Sequence, residues 1–104
     1  MGIKNIVKKL QKEFKDYPII IDFEEDTIIV AFETQIGIYN EEFIDINELY
    51  TFIEKLIDGV DVVKDNNYVI VFLDGVSEYS DEVIELVNYL INEVDDKFKI
   101  KNIY

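Results

Sequence analysis

Apolar side chains recur at helical spacing in three segments of the chain. The first stripe comprises Ile3, Ile6, Val7, Leu10 and Phe14. A second helix is expected from Ile46 to about Asp58, because Asp45 is a good N-cap and Glu48 follows it in the first turn. A third helix is expected to begin at Ser80, another good N-cap, and to bury apolar residues from Val83 to Val94.

Between these segments the pattern changes to short apolar runs that are typical of strands. The expected strands are Ile19–Phe23, Thr27–Phe32, Gln35–Asn40, Val60–Lys64, Tyr68–Leu73 and Phe98–Tyr104. Within the expected strand Tyr68–Leu73, every residue of Val69–Leu73 is apolar, so both faces of the strand are apolar. This pattern is typical of a central strand covered on both sides. In Phe98–Tyr104 apolar residues alternate with lysines, which suits a strand at the edge of a sheet.

Together these elements predict an α+β fold for residues 1–104, as a single compact acidic domain. We expect a mostly antiparallel sheet of five or six strands packed with three helices, in the order α-β-β-β-α-β-β-α-β. The apolar positions of the first half of the chain also match those of the second half, at an offset of 43 residues in the helices and 42 in the strands. Two helix–hairpin repeats would explain these matches, but a generic amphipathic pattern gives similar ones, so both interpretations stay open.

The composition argues against the commonest enzyme and metal chemistry. The chain has no cysteine and no histidine, and all ten of its basic residues are lysines. These absences remove the thiol nucleophile, the usual general base near neutral pH and the commonest transition-metal ligands. The four glycines stand singly, so no phosphate-binding loop is expected. We therefore expect a protein that is not an enzyme, with no catalytic residue, cofactor or metal site. A small enzyme using carboxylates alone would need two acids that differ in environment, and no pair stands out.

Charge is distributed unevenly along the chain. Residues 17–96 hold 21 of the 23 carboxylates against two lysines, a net charge of −19, while the whole chain carries −13. A field of this strength repels nucleic acid and anionic membranes and attracts basic proteins. With 49% hydrophobic residues the chain is also apolar enough to form a core.

Helix capping explains only some of these acids, and the remainder are the candidate partner-binding residues. Together with two tyrosines beside acidic loops they are Glu24, Glu25, Asp26, Glu33, Tyr39, Glu41, Glu42, Asp61, Asp65, Glu78 and Tyr79. In one interpretation they form a phosphate-like array that occupies the nucleic-acid groove of a basic protein. In the other they only keep the protein soluble.

The layout of the first sixty residues, a helix, a three-strand meander and a second helix with acidic turns, resembles that of small phage-encoded anti-CRISPR proteins. The resemblance implies a nuclease as partner and transfers no residues, because it involves no shared motif. The leading hypothesis is an inhibitor of a nucleic-acid-processing or other basic protein, such as an anti-CRISPR, anti-restriction or toxin immunity protein, acting by charge and shape mimicry of DNA. Its partner would be the basic surface of a nuclease, nucleic-acid-binding protein or toxin, with no direct contact to nucleic acid or membrane.

The alternative hypothesis is a structural or regulatory domain that self-associates, as a homodimer for example. It is motivated by the apolar runs Ile19–Ile21 and Val69–Leu73, which could leave one face of the sheet uncovered. Under either hypothesis the expected location is the cytoplasm, or the host cytoplasm if the protein is encoded by a phage, because no signal peptide or membrane span is evident.

Overall fold

A computed structural model describes residues 2–36, 41–42 and 44–103. Its elements are α1 (Ile3–Glu13), β1 (Ile19–Glu24), β2 (Thr27–Glu33), β3 (Gln35–Ile36), β4 (Glu41–Glu42), α2 (Ile46–Leu56), β5 (Asp61–Asp65), β6 (Tyr68–Leu73), α3 (Val76–Phe98) and a 3₁₀ helix (Ile100–Ile103). The three predicted helices are present, and Asp45 caps α2 by accepting from the N–H groups of Asn47 and Glu48 at 2.9 and 3.1 Å. In the described part of the chain, no helix is both long and apolar enough to cross a membrane.

Four strands form one antiparallel sheet, the main sheet, in the order β1-β2-β6-β5. Among residues 2–36, 41–42 and 44–103, the short strands β3 and β4 pair only with each other, in a separate two-stranded ladder. The prediction of five or six strands in the sheet is therefore wrong. The predicted central position of Tyr68–Leu73 is confirmed, because β6 lies between β2 and β5.

The chain leaves the main sheet at Thr34. Its N–H and its hydroxyl both donate to the carbonyl of Asn67, at 2.9 and 2.6 Å, and the residue is only 2% exposed. This anchor ties the end of β2 to the β5–β6 turn, and the next residues pair outside the main sheet. The predicted strand Gln35–Asn40 is thus reduced to Gln35–Ile36 in the described residues, and positions 37–40 lie outside them.

The predicted edge strand Phe98–Tyr104 is wrong. Helix α3 runs through Phe98, and Lys99 then adopts a left-handed conformation with φ of 57°. Asp95 fixes this helix end, since its carbonyl accepts from the Lys99 N–H at 2.7 Å and its carboxylate from the Lys101 N–H at 3.0 Å. The chain continues as the 3₁₀ helix and adds no strand to the sheet.

The three helices lie on one face of the main sheet and enclose the core there. The strand residues that contribute to this core are Ile21, Ile28, Val30, Phe32, Val69, Val71 and Leu73. Helix α1 packs against β1, α2 against β5 and β6, and α3 against β2. The result is a two-layer arrangement of helices on a sheet.

The element order contains two helix–hairpin units, α1-β1-β2 and α2-β5-β6. Both helices have 11 residues. The pair Glu24 and Thr27 closes the first hairpin turn, and Asp65 and Tyr68 close the second, 41 residues further along the chain. The offset of 42 residues that the apolar strand positions indicate is therefore too long by one residue. Aligned at 42, each strand of the first hairpin would match the wrong face of its counterpart in the second.

Helix α3 begins before the predicted N-cap, Ser80. Its first residue is Val76, and a non-helical residue, Tyr79 (φ −128°, ψ 39°), interrupts it immediately before Ser80. The first turn is held from the β1–β2 turn, where the Asp26 carboxylate accepts from the N–H and the hydroxyl of Ser77 at 2.7 and 2.9 Å. The Asp26 carbonyl also accepts from the Val76 N–H at 3.2 Å.

Candidate functional site

The second face of the main sheet, turned away from the helices, is the candidate site. Because side chains alternate along a strand, the strand register places these residues on it: Ile20, Asp22, Glu24, Thr27, Ile29, Ala31, Glu33, Asp61, Val63, Asp65, Tyr68, Ile70 and Phe72. None of them belongs to the core that the helices cover. Ile20 and Val63 are 48% and 40% exposed. We call this surface the open face.

The two central strands give the open face an apolar centre. Ile29 lies opposite Phe72, and Ala31 lies opposite Ile70, across the β2–β6 ladder. The three large side chains remain half-buried, although the helices lie on the opposite face of the sheet. We call these four residues the apolar stripe, because they run along the strand direction and are about one strand spacing wide.

Acids border the Ile29–Phe72 end of the apolar stripe on both sides, while Ile20 and Val63 flank its Ala31–Ile70 end. β1 contributes Asp22 and Glu24, and β5 contributes Asp61 and Asp65, all four exposed. We call these two rows the acidic edges. Three strand spacings separate β1 from β5, so the two edges lie about 14 Å apart. Glu33 adds a fifth carboxylate at one end of β2.

The open face contains no lysine. The one basic residue in the strands of the main sheet is Lys64, and its side chain belongs to the helix side. Its Nζ donates to the side-chain oxygen of Asn47 at 2.8 Å and lies 5.0 Å from the ring centroid of Tyr50. The Tyr50 hydroxyl in turn donates to Glu54 at 2.9 Å, and this hydrogen bond raises the pKa of Tyr50. The strand residues of the open face therefore include no lysine, although Lys15, two residues after α1, lines a depression with Ile20 at the β1 edge.

One end of the open face is concave. A depression of about 250 Å³ is lined by Glu24, Glu25, Thr27, Ile29, Asp61, Phe72 and Asp74. The Thr27 hydroxyl donates to the Asp74 carboxylate at 2.5 Å. Among residues 2–36, 41–42 and 44–103, no group of three or more acidic side chains is arranged to hold a metal ion. Four carboxylates therefore line the depression, those of Glu24, Glu25, Asp61 and Asp74.

The predicted site residues separate into several groups. Glu24, Glu33, Asp61 and Asp65 all lie on the open face, Glu24 and Asp61 toward one end of it and Glu33 and Asp65 at the other. Glu25 lies in the adjoining turn with φ of 53° and lines the depression. The pairing of strands from the two halves of the chain thus places Glu24, Glu25 and Asp61 near one end of the open face and Glu33 and Asp65 at the other.

The other predictions fare differently. Asp26 is a structural cap for α3. Glu78 and Tyr79 lie in the first turn of α3, where Tyr79 is 54% exposed. Glu41 and Glu42 form β4, and their side chains lie outside the described part of the structure, as does all of Tyr39.

The candidate site residues did not include Asp22, Asp74 or the β2 half of the apolar stripe, whereas its β6 half lies in the run Val69–Leu73 that motivates the self-association hypothesis. Asp22 had a usable signal, since it alternates with the core residues Ile21 and Phe23. The apolar residues of β6 were expected to be covered on both sides, and that expectation is wrong, because all three helices lie on one face.

Comparisons with protein-family models, with curated proteins and with solved structures gave no significant match.

Proposed function

We propose that this protein is a non-enzymatic binding protein that docks onto a basic protein through the open face. In this proposal it inhibits a nucleic-acid-processing enzyme, or another basic protein, by occupying the surface that binds nucleic acid. The observation that supports this most is the composition of the open face, which has five carboxylates, no lysine and an apolar centre. We place the interaction in the cytoplasm, which for a phage-encoded protein is that of the host.

Both parts of the open face have a physical role in such binding. Carboxylates at the border steer a basic partner toward the face and raise the rate of association. The apolar stripe supplies a centre that loses water on contact, where protein interfaces gain most of their affinity.

The spacing of the acids supports mimicry of a duplex. The acidic edges lie about 14 Å apart, and the major groove of B-DNA between its phosphate backbones is about 12 Å wide. Lysines and arginines that neutralise phosphates on both sides of a groove would therefore meet carboxylates at a similar separation. Glu25 and Asp74 extend the same charge beyond the strand ends.

Self-association is the second candidate, favoured by the exposure of Ile20 and Val63. Stacking two open faces would bury both apolar stripes. It would also bring the acidic edges of one copy close to those of the other, and this repulsion is weakened by salt. A homodimer is therefore promoted by salt, whereas a complex with a basic protein is weakened by it.

The proposal is tested with purified DNA nucleases that have basic DNA-binding surfaces. Binding to each nuclease is measured by calorimetry, and competition is measured by the fluorescence anisotropy of a labelled duplex. We expect the protein to displace the duplex and the affinity to fall as salt rises. The variant Asp22→Lys/Asp61→Lys, with one reversal on each acidic edge, should lose at least about tenfold in affinity.

The matched control is Glu85→Lys/Asp96→Lys, which makes the same change in net charge at exposed positions of α3. It should bind nearly as well as the parent protein. Equal losses in the two variants would mean that only the total charge matters, contradicting docking through the open face. Complexes that still bind the duplex would contradict mimicry.

A further inference from the structure

The open face has the dimensions and charge pattern of a binding site for one helix. We infer that its ligand is a basic amphipathic α-helix lying along β2 and β6, an inference that rests on the proposed function and names the element of the partner that binds. The apolar side of the helix covers the apolar stripe. Its lysines and arginines, placed on both flanks, face the two acidic edges.

The open face matches a short α-helix in both length and width. Strands β2 and β6, of 7 and 6 residues, extend about 20 Å. A helix of about 14 residues has the same length and a diameter of about 10–12 Å. It therefore fits between acidic edges about 14 Å apart, and long lysine or arginine stems reach the carboxylates on either side.

The charge pattern specifies cations on two flanks of the helix. Asp22 and Glu24 lie beyond the stripe on the β1 side, and Asp61 and Asp65 lie beyond it on the β5 side. A helix with cations on one flank satisfies only one edge and leaves the other acids partly desolvated without partners. The depression at the end of the face, lined by acids of both edges, accepts a cation from the end of the helix.

An extended peptide added to the edge of the sheet is a poorer fit. At the β1 edge the Gln11 side-chain amide already donates to the Ile21 carbonyl at 2.6 Å, and α1 packs against this strand. A strand added at either edge would also leave the apolar stripe uncovered, since the stripe lies on the two central strands.

Three synthetic peptides of about 18 residues and identical composition test the inference. The first has leucines at helical spacing with lysines on both flanks; the second has all lysines on one flank; the third is scrambled to remove the period. Affinity is measured by calorimetry, and helix content by circular dichroism. The two-flank peptide should become helical on binding and bind at least about tenfold more tightly than the scrambled peptide, because both peptides carry the same charge and only one presents an apolar side.

Variants of the protein test whether the two-flank peptide binds at the open face. Ile29→Thr/Ile70→Thr keeps β-branched residues and the net charge but makes the stripe polar, and it should weaken the two-flank peptide about tenfold. Asp22→Asn/Asp61→Asn should weaken it about fivefold. The control Glu85→Gln/Asp96→Asn should change it less than twofold. Thermal unfolding confirms that each variant is folded before its binding is interpreted.

If the scrambled peptide binds as tightly as the two-flank peptide, the inference is overturned, because the protein then attracts cationic peptides by charge alone and has no binding site for a helix. A bound peptide that becomes extended also overturns it. Failure of the proposed function looks different: the two-flank peptide binds as described, but no basic nuclease competes with DNA. Conversely, if nuclease inhibition depends on the acidic edges and is unaffected by Ile29→Thr/Ile70→Thr, the proposed function stands without the helix.

Discussion

Asp26 shows how one residue can have a different role from the one its sequence context indicates. It was a candidate for partner binding because it follows two other acids, yet its carboxylate holds the first turn of α3 through Ser77. Asp45 was identified correctly as a cap, because its partners lie within three positions. The partner of Asp26 lies 51 positions away, and no local pattern indicates such a contact.

Replacing Asp26 by alanine should therefore destabilise the protein rather than only weaken binding. The variant loses both hydrogen bonds to Ser77, and we expect the free energy of unfolding to fall by about 1–2 kcal/mol. Ser77→Ala keeps the backbone donor and should lower it by about half as much. Urea unfolding followed by circular dichroism measures both changes.

The control for this prediction is Glu24→Ala, at an exposed end of β1. A surface change of this kind should alter stability by less than about 0.5 kcal/mol. If Asp26→Ala is no more destabilising than the control, the capping role is contradicted.

The two hairpin turns provide a matched comparison between elements. Glu25 and Asn66 occupy the same position in their hairpins and have nearly identical φ values, 53° and 54°. The left-handed region costs an ordinary residue about 1–2 kcal/mol, and asparagine tolerates it better. Glutamate is therefore less well suited to the left-handed position of the β1–β2 turn than asparagine is to that of the β5–β6 turn.

Glycine at each position should reveal this difference. Glu25→Gly removes the steric penalty but adds flexibility to the unfolded chain, so we expect a net gain of about 0.5 kcal/mol. Asn66→Gly should give no gain. Urea unfolding measures both variants, and a Glu25→Gly change that is as unfavourable as Asn66→Gly would contradict the argument.

At the level of elements, sequence patterns predicted most of the helices and the four main strands, because each has a clear period. They failed where one residue changes the direction of the chain. The alternation in Phe98–Tyr104 resembles a strand, but Phe98 is also four positions after the buried Val94 and continues the stripe of α3. The left-handed Lys99, which is not a glycine, then ends the helix without a visible signal. Thr34 ends β2 through a contact to Asn67, which lies far away in the sequence.

At the level of the whole molecule, the open face exists because all three helices pack on the same side of the main sheet. The sequence gives each strand two sets of side chains, but it does not say which set the helices will cover. Both sets are apolar in β6, so its pattern suits either face. For this reason the acids were identifiable from the sequence, and an uncovered apolar face was one hypothesis, but the residues that form it were not identifiable.

The charge of the open face predicts the behaviour of the free protein. At pH 7 and low salt we expect a monomer in sedimentation velocity, because stacked open faces would bring their acidic edges together. Any self-association should grow as salt rises, opposite to the salt dependence of a complex with a basic nuclease. A dimer that is stable at low salt, and that Ile29→Thr/Ile70→Thr dissociates, would instead support self-association as the function.

The junction between the two helix–hairpin units has a consequence for synthesis on the ribosome. In the main sheet the units meet only through β2 and β6, so β2 has a free edge until the second unit has been translated. An apolar edge strand of this kind readily pairs with strands of other chains. Asp22, Glu24 and Glu33 lie on the same face of the first hairpin, where their charge keeps two nascent chains apart. The acids of the first hairpin therefore oppose pairing between nascent chains during the interval before β6 covers the edge of β2.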